Sequence, residues 1–439
     1  MVIQMNWIKI KDNQYIYNDK LSDVKEIVDR VTDKTLEQLE SEGIFVFPEF
    51  LKDIKDMTKE QTILKSCNDG YISGNVMGYI GISGKYLAIE SRFSLGDNDY
   101  FFQYLLDKVL DFPNFIDLST SIIRNKKMLT LLLFMFPYYL KRALRKGIFK
   151  TYICNKYSDK NIKGKIDIAG HIRKNIPFKG DIAYIQREYS FDNYLTELIR
   201  HTVEYIKSKS YGYKLLNKVK EEVRIITDAT LRYNYGKRQA IIDENNKNII
   251  RHAYYYEYRE LQKLCVLILK MSRHRFYFGS QKMYGILFDG AWLFEEYINL
   301  LIGNKFYHPM NKRTGGQYLF SRNVGAIYPD FIGKDTNNRI IADAKYKPLD
   351  KIRDKDFLQL LAYMFRFDAK KGMFLYPEPG DKEAVSLYLN SGLTYENNVL
   401  KSDIKVIKHG LKIPKDAIDY PDFVEKIRHA EDEFIKCIG

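Results

Sequence analysis

The chain has 439 residues, 45% of them apolar and 14% aromatic, with a formal charge of +14 and a pI near 9.2. That length and apolar content support two or three domains with substantial cores and exclude wholesale disorder, while the positive balance favours an anionic partner, most simply a nucleic-acid backbone. Cys67, Cys154, Cys265 and Cys437 stand singly, which excludes a Cys-x-x-Cys zinc ribbon or a disulfide-dense scaffold and suits a reduced cytoplasmic protein.

In chain order, the first ten residues lack a charged start followed by an apolar signal core, so export is not expected. Residues 1–65 combine a strand-like start with amphipathic segments over 20–39 and 48–64. Residues 70–95 read as strands punctuated by Gly74, Gly78, Gly81 and Gly84, the pattern of a small barrel or curved sheet. A helical region is expected from about 98 to 157. Its apolar block 131–140 is broken by Pro137 and too short to span a bilayer. Lys141, Arg142, Arg145 and Lys146 close that segment, where basic groups complement the helix dipole or contact a phosphate.

Strands return over 158–190, with 161–170 and 180–188 read as a pair joined by the basic loop 171–179. That loop is a candidate finger in which Arg173 and Lys174 would touch a partner or DNA, although a solvated connection has the same composition. Helices dominate 193–273. The run Tyr254-Tyr-Tyr-Glu-Tyr258 beside Arg251 and Arg259 could stack on bases, but its helical spacing favours core and interface. A boundary near residue 276 divides an N-terminal region, 1–275, from a C-terminal domain, 276–439.

The C-terminal part carries the chemistry. Residues 288–302 predict an amphipathic helix from which Glu295 or Glu296 can reach a site. Two apolar runs, 326–332 and 339–344, flank the turn residues Gly333, Lys334, Asp335, Thr336, Asn337 and Asn338, as in a β-hairpin. Asp330 and Asp343 then fall on neighbouring strands, and alternation puts Asp343 and Lys345 on one face. Two carboxylates suit Mg²⁺, which keeps positions for water and a phosphate, and an ammonium can offset charge building on that phosphate. Lys345 is read as positioning and electrostatic, since a general base would need its pKa of about 10.4 strongly depressed. Asp23/Lys25, Asp53/Lys55, Asp368/Lys370 and Asp403/Lys405 repeat the Asp-x-Lys spacing without a preceding Pro-Asp strand and polar turn. Ordinary strand-end residues paired with lysines remain the plainer alternative. Residues 356–366 predict a helix that sets Gln359 and Tyr363 four apart on one face. The seven histidines are dispersed and are read as surface or interdomain residues. Each Gly-Lys pair lacks the Ser/Thr and upstream Gly of a phosphate-binding loop, so NTP hydrolysis by this chain is not expected.

Leu293-Phe-Glu-Glu-Tyr297, Tyr328-Pro-Asp330, Ile341-Ala-Asp-Ala-Lys-Tyr346 and Gln359-Leu-Leu-Ala-Tyr363 resemble, in order, the motifs of the PD-(D/E)XK nuclease superfamily. More narrowly they resemble McrC, the nuclease subunit of McrBC-type restriction systems. Residues 76–90 are similar to that family's Gly-rich segment, and Tyr189-Ser-Phe-Asp-Asn193 to its Asp-Asn element, so the resemblance spans about 70–380. It implies Asp330, Asp343 and Lys345 as catalytic residues, with Glu295, Gln359 and Tyr363 accessory. Asp330, Asp343 and the backbone carbonyl of Ala344 would be the Mg²⁺ ligands, with Mn²⁺ as a substitute. It also implies double-stranded DNA as substrate and docking of the N-terminal region on an McrB-like AAA+ GTPase hexamer that uses the GTP. A homodimer through the nuclease domain would supply two sites for a double-strand cut.

The expected class is therefore α+β: an N-terminal mixed β and helical adaptor region, plus a nuclease domain with a central mixed sheet flanked by helices. Two other functions stay open on the residues alone: a stand-alone repair nuclease, and a non-catalytic scaffold that binds a motor. Residues 1–65 and 385–439 are not explained by the resemblance.

Overall fold

The computed structural model describes residues 7–35, 38–39, 44–47, 62–82, 85–94, 98–110, 124–273, 283–309, 317–392 and 399–438. The expected segment 48–64 lies outside these up to residue 61, as do Gly84 and the expected boundary at 276. The α+β class is borne out: helices accompany several separate sheets. Contacts divide the chain into Met1–Arg124 with Phe278–Gly439 as one unit, and Asn125–Tyr277 as another.

In the first unit a five-stranded sheet has the order Trp7–Lys11, Lys85–Glu90, Val76–Ile82, Tyr284–Asp289, Ile44–Phe47. The strand Tyr284–Asp289 lies between two strands from the first hundred residues, antiparallel to one and parallel to the other. This differs from the division at 275/276, because the ladder pairs this late strand directly with Val76–Ile82. Ile10, Ile80, Leu87 and Leu287 share one core with Val28 and Val31 of the helix Lys25–Val31. Gly78 sits inside its strand rather than at a turn. Its φ is +142°, and a Cβ there would collide with the Ile286 carbonyl across the ladder.

A second sheet in this unit runs Phe306–Tyr307, Phe331–Gly333, Ile340–Ala344, Lys371–Glu378, Val399–Lys412, Val385–Ser391. The expected hairpin is present, with Phe331 opposite Ala342 and Ile332 opposite Ile341. The apolar run 326–332 is not one strand, however. Val324–Ile327 pairs away with Gln317–Phe320, because Pro329 has no N–H for a ladder and restricts Tyr328 before it. Past the hairpin, Ile340–Ala344 and Lys371–Glu378 run parallel, joined by the helix Asp354–Arg366 as such a crossover requires. That helix starts where the Asp356 carboxylate accepts the Arg353 N–H at 2.9 Å, and it buries Leu360, Tyr363 and Met364.

The helix Gly290–Ile302 starts at Asp289, whose side chain accepts the Trp292 N–H at 2.8 Å. Residues 385–438 complete this unit with the two last strands and the helix Tyr420–Ile438. Glu431 of that helix accepts the phenol protons of Tyr104 and Tyr297, each at 2.7 Å.

The second unit contains the helices Arg124–Leu144, Tyr194–Lys207 and Tyr256–Arg273, with a three-stranded sheet ordered Thr151–Asp159, Ile182–Ser190, Lys165–Ile166. Of the expected strand 161–170 only Lys165–Ile166 pairs. Asp167 accepts the Gly170 N–H at 3.0 Å and starts the short helix Ile168–Lys174 where a loop was expected. The aromatic run is only partly core: Tyr258 is fully buried, its hydroxyl donating to the Gly147 carbonyl at 2.7 Å, while Tyr255 and Tyr256 are half-buried and Tyr254 is exposed. Among the described residues no helix is long and apolar enough to cross a membrane.

Candidate active site

The site forms at the end of the hairpin in the second sheet of the first unit. Continuing the antiparallel register one step beyond Phe331 and Ala342 sets Asp330 opposite Asp343. Asp330 Oδ2 accepts the Ala344 N–H at 2.9 Å, so the backbone of one strand orients the carboxylate of the other. Asp343 is 3% exposed. Lys345 follows on the same face, its own N–H donated to the Leu375 carbonyl at 2.8 Å, and its Nζ lies 2.6 Å from Asp343 Oδ2. The three residues expected to be catalytic are thus brought together.

Asp356 and Lys347 extend the cluster. Lys347 Nζ is 2.6 Å from Asp356 Oδ2, and Lys345 Nζ is 3.8 Å from Asp356 Oδ1. Burial, then the Asp330 charge, push the Asp343 carboxyl up to about 7 against the pull of Lys345. Burial would depress Lys345, but Asp343 and then Asp330 outweigh it and raise its ammonium pKa. Lys345 therefore stays charged, which fits electrostatic work and not proton abstraction. At Asp356 burial also opposes ionisation, yet Lys347 and the Arg353 N–H hold its carboxyl below the usual range.

The donor set fits a hydrated hard cation. Asp343 Oδ2 is buried and, despite the nearby ammonium, has no aligned hydrogen-bond donor. A divalent ion relieves such a desolvated pair of carboxylates. Among the described residues no group of three or more His, Cys, Asp or Glu could hold a metal. Asp330, Asp343 and a carbonyl such as that of Ala344 suit Mg²⁺, which takes one or two carboxylates and retains water.

Gln359 and Tyr363 meet as expected, Gln359 Nε2 donating to the Tyr363 hydroxyl at 2.6 Å. Tyr363 is 2% exposed, and the same oxygen accepts the Tyr328 N–H at 3.4 Å. The phenol thus steadies the segment entering Asp330, while Gln359 remains exposed apart from that bond. Glu295 approaches through an intermediary: its Oε1 is 3.8 Å from His308 Nε2, with Glu296 Oε1 at 3.6 Å, and His308 Nδ1 is 2.9 Å from the Asp330 carbonyl. Burial disfavours the charged ring, but Glu296, the Asp330 carbonyl and Glu295 together raise His308 to about 9. Arg173 and Lys174 lie exposed in the other unit, Arg173 Nε donating to the Ala169 carbonyl at 3.2 Å within its own helix.

His308, Lys347 and Asp356 were missed from the sequence. Lys347 could have been found by alternation from Lys345, and Asp356 from its place in the first turn of the following helix. His308 stands among the dispersed histidines, which read as surface or interdomain residues. It belongs to the site because the two-residue strand before it pairs with Phe331–Gly333, which no local pattern announces.

The family model described as "McrBC 5-methylcytosine restriction system component" matches residues 73–377, more than two thirds of the chain. The match contains every motif on which the resemblance was drawn. No curated protein matches the chain. Among solved structures, the chain is similar to a refined half-complex from a tetradecameric assembly of Thermococcus gammatolerans McrB AAA+ hexamers with bound McrC, at 16% identity and TM-score 0.46, covering 98% of this chain and 100% of that one. It is also similar to a chain of the Thermococcus gammatolerans McrBC complex, at 14% identity and TM-score 0.32, covering 70% and 90%. On the family match, this chain belongs to the McrBC 5-methylcytosine restriction system component family.

Proposed function

We propose that the chain is an McrC-type endonuclease subunit of a GTP-dependent restriction system, with a PD-(D/E)XK site that hydrolyses phosphodiesters of double-stranded DNA in the cytoplasm. The observation that carries this reading is the convergence of Asp330, Asp343 and Lys345 at one hairpin end. Asp330, Asp343 and the Ala344 carbonyl would hold Mg²⁺, or Mn²⁺ in its place, and the ion would polarise the phosphate and acidify a bound water. The chain's own groups orient and neutralise. The Ala344 N–H aims Asp330, Lys345 places a permanent positive charge where the phosphate gains negative charge, and Asp356 with Lys347 brackets that ammonium.

The sequence has no phosphate-binding loop, so GTP would be used by an McrB-like AAA+ hexamer on which this chain docks and whose hydrolysis it stimulates. Arg173 and Lys174 are the proposed partner or DNA contacts. Two copies pairing through the nuclease domain would cut both strands. The test is cleavage of methylated and unmethylated plasmid with and without an AAA+ GTPase encoded beside this chain and GTP. Cutting that needs both motor and GTP supports the proposal. Motor-independent cutting points to a stand-alone nuclease, and stimulated GTP hydrolysis without cutting to a scaffold.

A further inference from the structure

Asp330 sits at a weak point of its sheet. Pro329 before it offers no N–H, the Tyr328 N–H is turned to the Tyr363 hydroxyl, and regular pairing begins only at Phe331. A carboxylate that must be held to a fraction of an ångström needs its backbone fixed by other means. The strand Phe306–Tyr307 pairs Tyr307 with Ile332, so His308 falls beside Phe331. Its imidazole stacks on the Phe331 ring at 5.0 Å and 26°, and its Nδ1 lies 2.9 Å from the Asp330 carbonyl. A carbonyl can only accept, so Nδ1 carries the hydrogen. The opposite nitrogen faces Glu296 Oε1 at 3.6 Å and Glu295 Oε1 at 3.8 Å, which fixes the ring from its far side.

We propose that His308 is a positioning residue: its Nδ1–H, oriented by Glu295 and Glu296 and by stacking on Phe331, pins the main chain of Asp330 so that its carboxylate is presented to the metal. Asp330 is then held at its carbonyl by His308, one residue past the strand Phe306–Tyr307, and at Oδ2 by the Ala344 N–H. This inference rests on the nuclease reading of Asp330 and Asp343.

The test uses the full chain and Mn²⁺ alone, with binding read by water-proton relaxation, alongside the Mg²⁺ dependence of cleavage. Asn places its amide nitrogen where His has Nδ1, whereas Gln places it nearer Nε2. His308→Ala and His308→Gln are expected to weaken Mn²⁺ binding about 10–100-fold, the usual loss when a group orienting a metal ligand is removed. His308→Asn should restore most of it, with thermal unfolding alike in the Asn and Gln variants. Asp343→Asn serves as the control for the metal site. If it abolishes Mn²⁺ binding while His308→Gln binds as well as His308→Asn, the positioning role is overturned and the metal site stands. If Asp343→Asn leaves binding intact, the metal reading fails and the inference fails with it.

Discussion

Tyr346 and Ser91 share a 2.6 Å hydrogen bond between side chains 255 positions apart. A thioether can only accept, so Tyr346 donates to Met77 Sδ at 3.2 Å and takes its second hydrogen from Ser91. The Arg92 guanidinium lies 4.9 Å over the same ring, and Phe93 packs edge-on at 5.0 Å. The residue after Lys345 is thereby tied to the first sheet of its unit. Tyr346→Phe and Ser91→Ala should each cost about 1–3 kcal/mol, the penalty for stranding a buried polar partner. Because they break one shared bond, the double variant should cost less than the sum. Urea unfolding of the three variants checks this, and strictly additive losses would refute it.

Lys345→Gln should lower the cleavage rate about 10²–10³-fold, as does removal of a charge-stabilising donor elsewhere, with little change in DNA affinity. Asp356→Asn, which loosens both neighbouring lysines, should lower the rate less. Single-turnover cleavage at saturating protein separates these effects from binding. A Lys345→Gln rate equal to wild type would remove that residue from the chemistry.

Gly78→Ala should destabilise the chain by about 3 kcal/mol or more, because the methyl meets the Ile286 carbonyl and φ is positive. A thermal melt that shows no loss would mean the strand pair 76–82 and 284–289 is not formed as described.

Asp99 supplies a pH test away from the candidate active site. It caps the helix Tyr100–Val109 by accepting the Phe102 N–H at 3.2 Å, and burial foremost lifts its carboxyl to about 7 from the model-compound value of 3.8. A folded pKa above the unfolded one means that its contribution is full below the unfolded value. It is lost as pH rises through the folded value. Between about pH 4 and 7 the wild type should therefore lose up to about 1.4 kcal/mol per pH unit from this group. Asp99→Asn should remove that slope. Denaturation midpoints at pH 5 and pH 8 decide it; equal slopes in both proteins would contradict the assignment.

What the sequence disclosed was local. Asp343 and Lys345 follow from two-residue alternation, the hairpin from its polar turn, and Gln359 with Tyr363 from helical spacing. What stayed hidden depended on pairing across long stretches of chain. Nothing near residue 284 says that its strand lies between 76–82 and 44–47, and nothing near His308 says that it will face Asp330. Apolar content also misled where propensity and context disagree. The run 326–332 is as apolar as one strand yet is split at Pro329, and Ile162 lies exposed outside the ladder, where only Lys165–Ile166 of the expected strand pairs.

Cleavage of supercoiled plasmid in Mg²⁺ by wild type beside Asp343→Ala, each with the proposed AAA+ partner and GTP, decides whether the chain is a nuclease. On the nuclease reading wild type cuts and the variant does not, while thermal unfolding and stimulation of GTP hydrolysis are unchanged in the variant. Cutting retained by Asp343→Ala would contradict it.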